Sequence, residues 1–521
     1  MTIGTLGGMA TTRTLPWLLD QRAARTPDAT FLVWEPFDGP PQRWTCAQFV
    51  DRARRVAAGM ARRGIGPGDR VLVHLDNCPE FLLSWFACGF LGATIVSTNT
   101  RAVIDELAYF SAHSGSVAAI TAPRYLDTVA AAAPGLSWIA VTTTDAGTPP
   151  AAAPARADAF ETLVADAPLA GGAVRSDDLL MVQYTSGTTA RPKGVRWTHA
   201  NALWAAQVGA MHQGLGPDDA YLVHMPLFHT NAQSYSVLSA IWAGAAAVLQ
   251  PRFSASRFWE VSVRNRCTWT SVVPFHLRAT AEGYRPDHSY RWWGAPICGT
   301  ADGTPGGIPL LGWWGMTETL TQGIVGDLHQ PNRAGTMGRA ATSYRLEIRR
   351  ADGTAAGVDE PGELFVLGVP GVSLFDGYLD DPAATAKAFD GQGWMRTGDL
   401  ISTGDDGFLS FRDRDKDMLK VGGENVAASE IERVVAGVAG VSEVAVVGAP
   451  HPMLDEVPVA FVIPADPGGD VTALPEEVRL ACVAALADFK VPREVRVVDE
   501  LPRSVLNKVA KAELRTLLRK T

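Results

Sequence analysis

The segment Thr185-Ser186-Gly187-Thr188-Thr189-Ala190-Arg191-Pro192-Lys193 carries the sharpest local chemistry in this 521-residue chain. The apolar run Leu179–Tyr184 reads as a strand entering a loop of small hydroxyl residues and one glycine, with a lysine behind it. Hydroxyls and open backbone N–H groups can wrap a polyphosphate, Gly187 permits close approach, and Lys193 adds a mobile positive charge. The spacing is not that of the G-x-x-x-x-G-K-[ST] loop. Taken alone, a Ser/Thr/Gly turn is more often only a turn. Lysine is scarce here, however: 8 of the 46 basic residues are lysine, and Lys193 is one of two before residue 415. Further along, Glu318 in Gly315-Met316-Thr317-Glu318-Thr319 offers a hard oxygen of the kind Mg²⁺ takes alongside substrate phosphates. An isolated Thr-Glu would be a capping or surface pair.

These groups need a scaffold, and the hydrophobic pattern supplies one. Helical and strand-like segments alternate through the first four hundred or so residues: Asp51–Arg63 is amphipathic, Gly64–Asp69 turns, and Arg70–Leu75 is an apolar strand. Asn77–Pro79 opens the next helix, and Ser236–Leu249 repeats the helix-to-strand logic. The expected class is α/β, with mixed, largely parallel sheets. Residues 146–177 are rich in Ala, Pro and Gly and read as a surface connection. Charge density rises at Arg412–Asp417, and six lysines lie from Lys416 onward, so a linker is expected there before a small α+β domain. The expected division is a large domain over 1–413, a linker at 414–417 and a small domain over 418–521.

Composition narrows the function classes. The chain is 47% hydrophobic with a formal charge of −9, which fits a soluble globular protein and disfavours nucleic-acid binding. Six scattered cysteines form no C-x-x-C pair and no Cys/His metal spacing, which fits reduced thiols in a cytoplasmic protein. No signal peptide is visible at the N-terminus. The twenty uncharged residues Phe81–Thr100 approach membrane-span length, but Gly92 and the β-branched run behind it indicate a buried helix turning into a buried strand, not an integral span.

Thr185–Val195 resembles the phosphate-loop segment of the adenylate-forming superfamily of acyl-CoA synthetases, aryl-CoA ligases, luciferases and adenylation enzymes. Five further segments follow in order. Gly315–Thr319 is similar to the family's Gly-x-Thr-Glu segment, Trp394–Leu400 to its ribose segment, and Asp413–Met418 to its hinge. Val421–Val426 matches its glycine loop, and Leu501–Lys508 its terminal lysine loop. The resemblance implies an ATP-dependent activation of a carboxylic acid as an acyl-adenylate, with pyrophosphate released, and then transfer to a thiol. It places the phosphates on Thr185, Ser186, Gly187, Thr188, Thr189 and Lys193, with Mg²⁺ on Glu318. Adenine and ribose fall to Gly294, Ala295, Pro296, Trp314, Gly315, Met316, Thr317, Asp399 and Arg414. Lys508, Thr188 and Glu318 become the catalytic groups, Lys416 the hinge, and Gly422, Gly423 and Glu424 the path of a pantetheine thiol. His229, Asn231, Gln233 and Trp313 match the acid pocket, and the Trp292–Trp293 pair could shape it or belong to the core.

The chain departs from that pattern in places. Trp314 stands where tyrosine is usual, Ala190 where Gly or Ser is usual, and Asn507 where Gly is common. Residues 297–309 are shorter and richer in Gly and Pro than the helix usually found there. No aspartate lies near the acid segment to pair an α-ammonium, which favours acyl or aryl acids over amino acids. Pro251–Trp259 is similar to the carnitine/crotonobetaine-CoA ligase-like subgroup. Implied partners are a small carboxylic acid and either CoA or the phosphopantetheine of an acyl carrier protein, with a homodimer left open. Rival readings are an adenylation enzyme loading a carrier in secondary metabolism, a member activating nitrite for an aryl amine, and a silent nucleotide-binding protein.

Overall fold

The computed structural model describes residues 13–143, 157–185, 191–299, 304–414, 418–466, 470–502, 509 and 511–519. Backbone contacts divide the chain into a larger unit (1–100, 110–184 and 194–413) and a smaller one (101–109, 185–193 and 414–521).

The larger unit is α/β and holds sheets of nine, seven and four strands. In the seven-stranded sheet, Arg70–His74 pairs in parallel with Thr94–Ser97 on one side and Ala118–Thr121 on the other. Helix Cys46–Arg62 precedes it and starts at a capping box in which Thr45 and Gln48 satisfy each other's backbone N–H groups. Helix Pro79–Leu91 is buried along its whole length, as expected for a crossover between parallel strands. It ends at Gly92, whose φ of 69° is a left-handed cap that returns the chain to Thr94–Ser97. No helix among the described residues is long and apolar enough to cross a membrane. The nine-stranded sheet has a parallel centre, with Ala220–Val223 flanked by Ala246–Leu249 and Trp269–Ser271, then Trp292–Ala295 and Leu310–Trp314.

Two expectations change. The Ala/Pro/Gly-rich stretch 146–177 is not only a surface connection: Asp158–Ala159 forms an edge strand of the seven-stranded sheet, and Phe160 and Leu163 behind it are fully buried. Two apolar anchors outweigh the composition around them. The helix before Ala246–Leu249 begins as a π-helix over Asn231–Leu238 and becomes an α-helix only at Ser239–Ala243.

The smaller unit carries a five-stranded sheet whose longest pair, Val441–His451 and Asp455–Pro464, is antiparallel. Ile431 and Val435 from one helix, and Val478 and Cys482 from another, pack on Val446, Ala460 and Val462. All six cysteines of the chain are buried free thiols. Burial pushes the thiols up, Cys88 to about 12 and Cys482 to about 11.

Asn77 clasps the two largest sheets. It follows Arg70–His74, is 1% exposed, and its amide donates to Met225 O (2.9 Å) and Gln250 O (3.1 Å) while accepting from Leu227 N (2.7 Å). Both carbonyls sit just past the ends of Ala220–Val223 and Ala246–Leu249. Replacing Asn77 by Ala strands three backbone groups away from water. Asn77→Ala is expected to lower the unfolding free energy by roughly 3 kcal/mol in urea titrations. A loss below about 1 kcal/mol, the usual net worth of one hydrogen bond, would show that the clasp does not hold the sheets.

Candidate active site

The segments expected to bind the nucleotide meet where Leu310–Trp314 ends. All five residues of this strand are buried, between Trp292–Ala295 on one edge and Ile324–Val325 on the other. The chain then passes Gly315 and Met316 into a 3₁₀ turn, Thr317–Thr319. The Thr319 hydroxyl accepts from Met316 N at 2.9 Å, and the buried Trp197 indole donates to Thr317 O at 3.0 Å. That turn carries Glu318, which is 6% exposed and accepts a 2.9 Å hydrogen bond from the Tyr378 hydroxyl. Burial, and then the Glu318 charge beside it, pushes the Tyr378 phenol far above its usual range, so it stays a donor. A carboxyl oxygen held by a phenol donor is the hard-oxygen type that fits Mg²⁺.

Asp399 reaches the same place from strand Trp394–Thr403. Pairing with Gly362–Leu367 slips between Glu363 and Phe365, and Gly398 opposite takes φ 71°. A left-handed glycine at a bulge re-aims its neighbour, and Asp399 is turned inward to 3% exposure. There its Oδ2 accepts from the Trp314 indole Nε1 at 2.8 Å.

The segment expected to bind the acid runs along residues 229–235. His229 is half-buried and leads into the π-helix, whose extra residue per turn is a frequent mark of functional sites. Inside it, both amide atoms of Gln233, the Asn231 Oδ1 and the Ser234 hydroxyl are buried with no hydrogen-bond partner among the described residues. Such groups cost of order 1–3 kcal/mol each unless a water or a ligand supplies the partner. Trp313 lies against Gly294, where a Cβ would come within 1.6 Å of the ring, and Tyr235 meets Trp313 edge-on at 5.4 Å. The Tyr235 hydroxyl in turn sits against Gly315, 2.3 Å from where a Cβ would be. Two aromatic rings thus use the room that two glycines leave. The Thr230 hydroxyl donates to Gln183 Oε1 (3.0 Å) and lies 3.1 Å from the Thr317 hydroxyl, tying acid and nucleotide segments together.

Of the pair Trp292–Trp293, Trp293 belongs to the core: it is fully buried among Phe258, Trp259 and Tyr290. Strand alternation sends the two rings to opposite faces. Residues 297–309 hold no α-helix among the described positions, only a 3₁₀ turn at Pro305–Gly307 broken by Gly306 at φ 68°. Ala295 closes the strand before Pro296. Thr185 ends one strand and Lys193 begins its neighbour in the seven-stranded sheet. Ser186, Gly187, Thr188, Thr189, Lys416 and Lys508 lie outside the described residues, and Arg414 is described in its backbone only. Gly422 and Gly423, at φ 60° and 91°, form the two-residue turn of the hairpin Met418–Val421/Glu424–Ala427. A turn with both central residues left-handed calls for glycine whatever passes over it.

Sequence reasoning missed Tyr378, Tyr235 and Thr230. Tyr235 and Thr230 flank residues already singled out, so the same segment could have yielded them. Tyr378 stands sixty positions from Glu318 with no local signal.

Comparisons with known proteins identify the family. Residues 19–379 match the family described as AMP-binding enzyme, and residues 430–508 the AMP-binding enzyme C-terminal domain. A crotonobetaine/carnitine–CoA ligase of Salmonella arizonae is 34% identical over 95% of this chain and 98% of its own. The solved o-succinylbenzoate CoA synthetase of Bacillus subtilis aligns with TM-score 0.79 and 27% identity, covering 97% of this chain and 99% of that one. An amide bond synthetase of Marinactinospora thermotolerans shares the fold at TM-score 0.79 and 24% identity, over 97% and 99% of the two chains. The chain belongs to the AMP-binding enzyme family and is an AMP-forming acyl-CoA ligase, activating a carboxylic acid as its adenylate before transfer to CoA.

Proposed function

We propose that the acid is short and carries a polar substituent, and that it binds between His229, Asn231, Gln233, Tyr235 and Trp313. The observation that carries this is the pairing of orphaned amide and hydroxyl groups on the π-helix with the Trp313–Tyr235 wall. The wall limits length, and the orphans reward a polar group. Crotonobetaine and carnitine, the acids in the name of the Salmonella arizonae relative, are of this kind, and aromatic faces suit a quaternary ammonium.

In the first half-reaction a carboxylate oxygen bonds to the α-phosphorus of ATP and the bond to pyrophosphate breaks. In the second, the CoA sulfur bonds to the acyl carbon and AMP leaves. Both steps move negative charge, so fixed cations and dipoles lower the barrier most. Trp314 stacks on adenine, and Asp399, with Arg414, holds the ribose. Thr185 to Thr189 and Lys193 cradle the phosphates. Glu318 would hold Mg²⁺, which supplies charge neutralisation at the phosphates when bound. Tyr378 orients Glu318. Lys508 supplies the cation between the incoming carboxylate and the phosphate.

Acid-dependent pyrophosphate release tests the acid. Crotonobetaine and carnitine are expected to turn over with CoA and to give the acyl-CoA by mass, and crotonate, which lacks the polar substituent, to turn over more slowly. Turnover only with benzoate or long fatty acids would overturn the pocket assignment. Lys508→Ala is expected to slow adenylation at least about 1,000-fold, the scale of losing a charge-stabilising donor, with ATP affinity by calorimetry nearly unchanged. Equal loss of ATP affinity would remove Lys508 from that role. Tyr378→Phe is expected to raise the Mg²⁺ concentration for half-maximal rate about tenfold, the worth of a hydrogen bond to a charged group. An unchanged Mg²⁺ dependence would separate Tyr378 from the metal.

A further inference from the structure

We propose that Trp314 is a positioning residue for the ribose carboxylate, fixing Asp399 through its indole N–H while its ring serves adenine. This rests on the reading that Asp399 receives the ribose. The indole Nε1 donates to Asp399 Oδ2 at 2.8 Å, with Trp314 7% and Asp399 3% exposed. The opposite edge of the ring is seated on Gly323, where a Cβ would stand 3.0 Å from Cζ3. Gly323 N also donates to Trp314 O at 2.9 Å. The ring is therefore held at its N–H edge and at its benzo edge, and its plane cannot turn without breaking one contact.

Among aromatic side chains, only tryptophan joins a wide stacking face to an edge N–H that donates and cannot accept. A carboxylate oxygen has two lone pairs, so Oδ2 can take the indole and still receive a ribose hydroxyl. The indole thus selects one rotamer of Asp399 before ATP arrives, and the entropy of ordering that carboxylate is not charged against nucleotide binding. Adenine stacking and ribose recognition become one coupled device, in which the base site sets the sugar site.

The coupling is read by crossing a variant with a nucleotide lacking the hydroxyls. Wild type and Trp314→Phe are compared on ATP and on 2′,3′-dideoxyATP at saturating acid and CoA. Trp314→Phe is expected to lose about fivefold in kcat/KM with ATP, nearly all of it in KM, the worth of about one hydrogen bond. With dideoxyATP the loss is expected to be under about twofold, because the hydroxyls that Asp399 would read are absent. Replacing Trp314 by benzothienylalanine keeps ring area and removes only the N–H, so it should reproduce the selective loss even if the phenylalanine variant folds poorly. An equal loss on both nucleotides would overturn the proposal and leave Trp314 as a stacking ring alone. A wild type that treats ATP and dideoxyATP alike would instead overturn the ribose reading of Asp399, and the coupling with it.

Discussion

Two parallel sheets must present the ends of their strands to each other without an interface made of strands, and the amide of Asn77 does much of that work. Asn77 follows a strand of the seven-stranded sheet, and its partners follow two strands of the nine-stranded one. The three hydrogen bonds therefore join carboxyl ends to carboxyl ends, where open parallel sheets bind their ligands. Gln183, Thr230 and Thr317 repeat the arrangement: one stands near a strand end of the first sheet, one just past a strand of the second, and Thr230 lies between them. The segment proposed to bind the acid hangs from these two clasps. Its position follows from backbone carbonyls and amides, which tolerate wide changes in surrounding side chains, so one frame can serve differently shaped pockets.

Within that frame the departures from regular structure fall where chemistry is expected. Gly398 bulges the strand that delivers Asp399, Leu320 takes φ 66° just past Glu318, and the helix after His229 is wound with an extra residue per turn. Each departure costs local stability. The continuous buried runs around them, such as Pro79–Leu91, offset that cost with apolar burial. Rigid surroundings and irregular site are two sides of the same design.

The α/β class, the buried helix ending at Gly92 and the strand leading into the hydroxyl-rich loop were legible because each depends on residues adjacent in sequence. Glu318, Asp399 and Trp314 were legible through ordered motifs. Their mutual arrangement was not: the Trp314–Asp399 bond spans 85 positions, and neither residue's neighbours announce the other. Tyr378 was invisible for the same reason. The edge strand at Asp158–Ala159 escaped because two buried residues, Phe160 and Leu163, sit in a stretch whose composition reads as a loop. Trp293 stayed ambiguous because an aromatic pair on a strand sends one ring to each face, and here both faces are packed, Trp293 in one apolar cluster and Trp292 part-buried against another.

The six thiols sealed in the interior acquire a meaning from the reaction itself. An acyl-adenylate is a mixed anhydride that acylates whatever thiolate reaches it, and thiolate content, not thiol content, sets that rate. An enzyme making such a reagent turnover after turnover is exposed to its own product. Here every cysteine is withdrawn from solvent and its thiol held protonated by burial, in Cys88 and Cys482 well above neutrality. CoA, arriving from outside with an ordinary thiol, meets no internal thiol competitor, and the cysteines are shielded from acylation by the same packing that stabilises the chain.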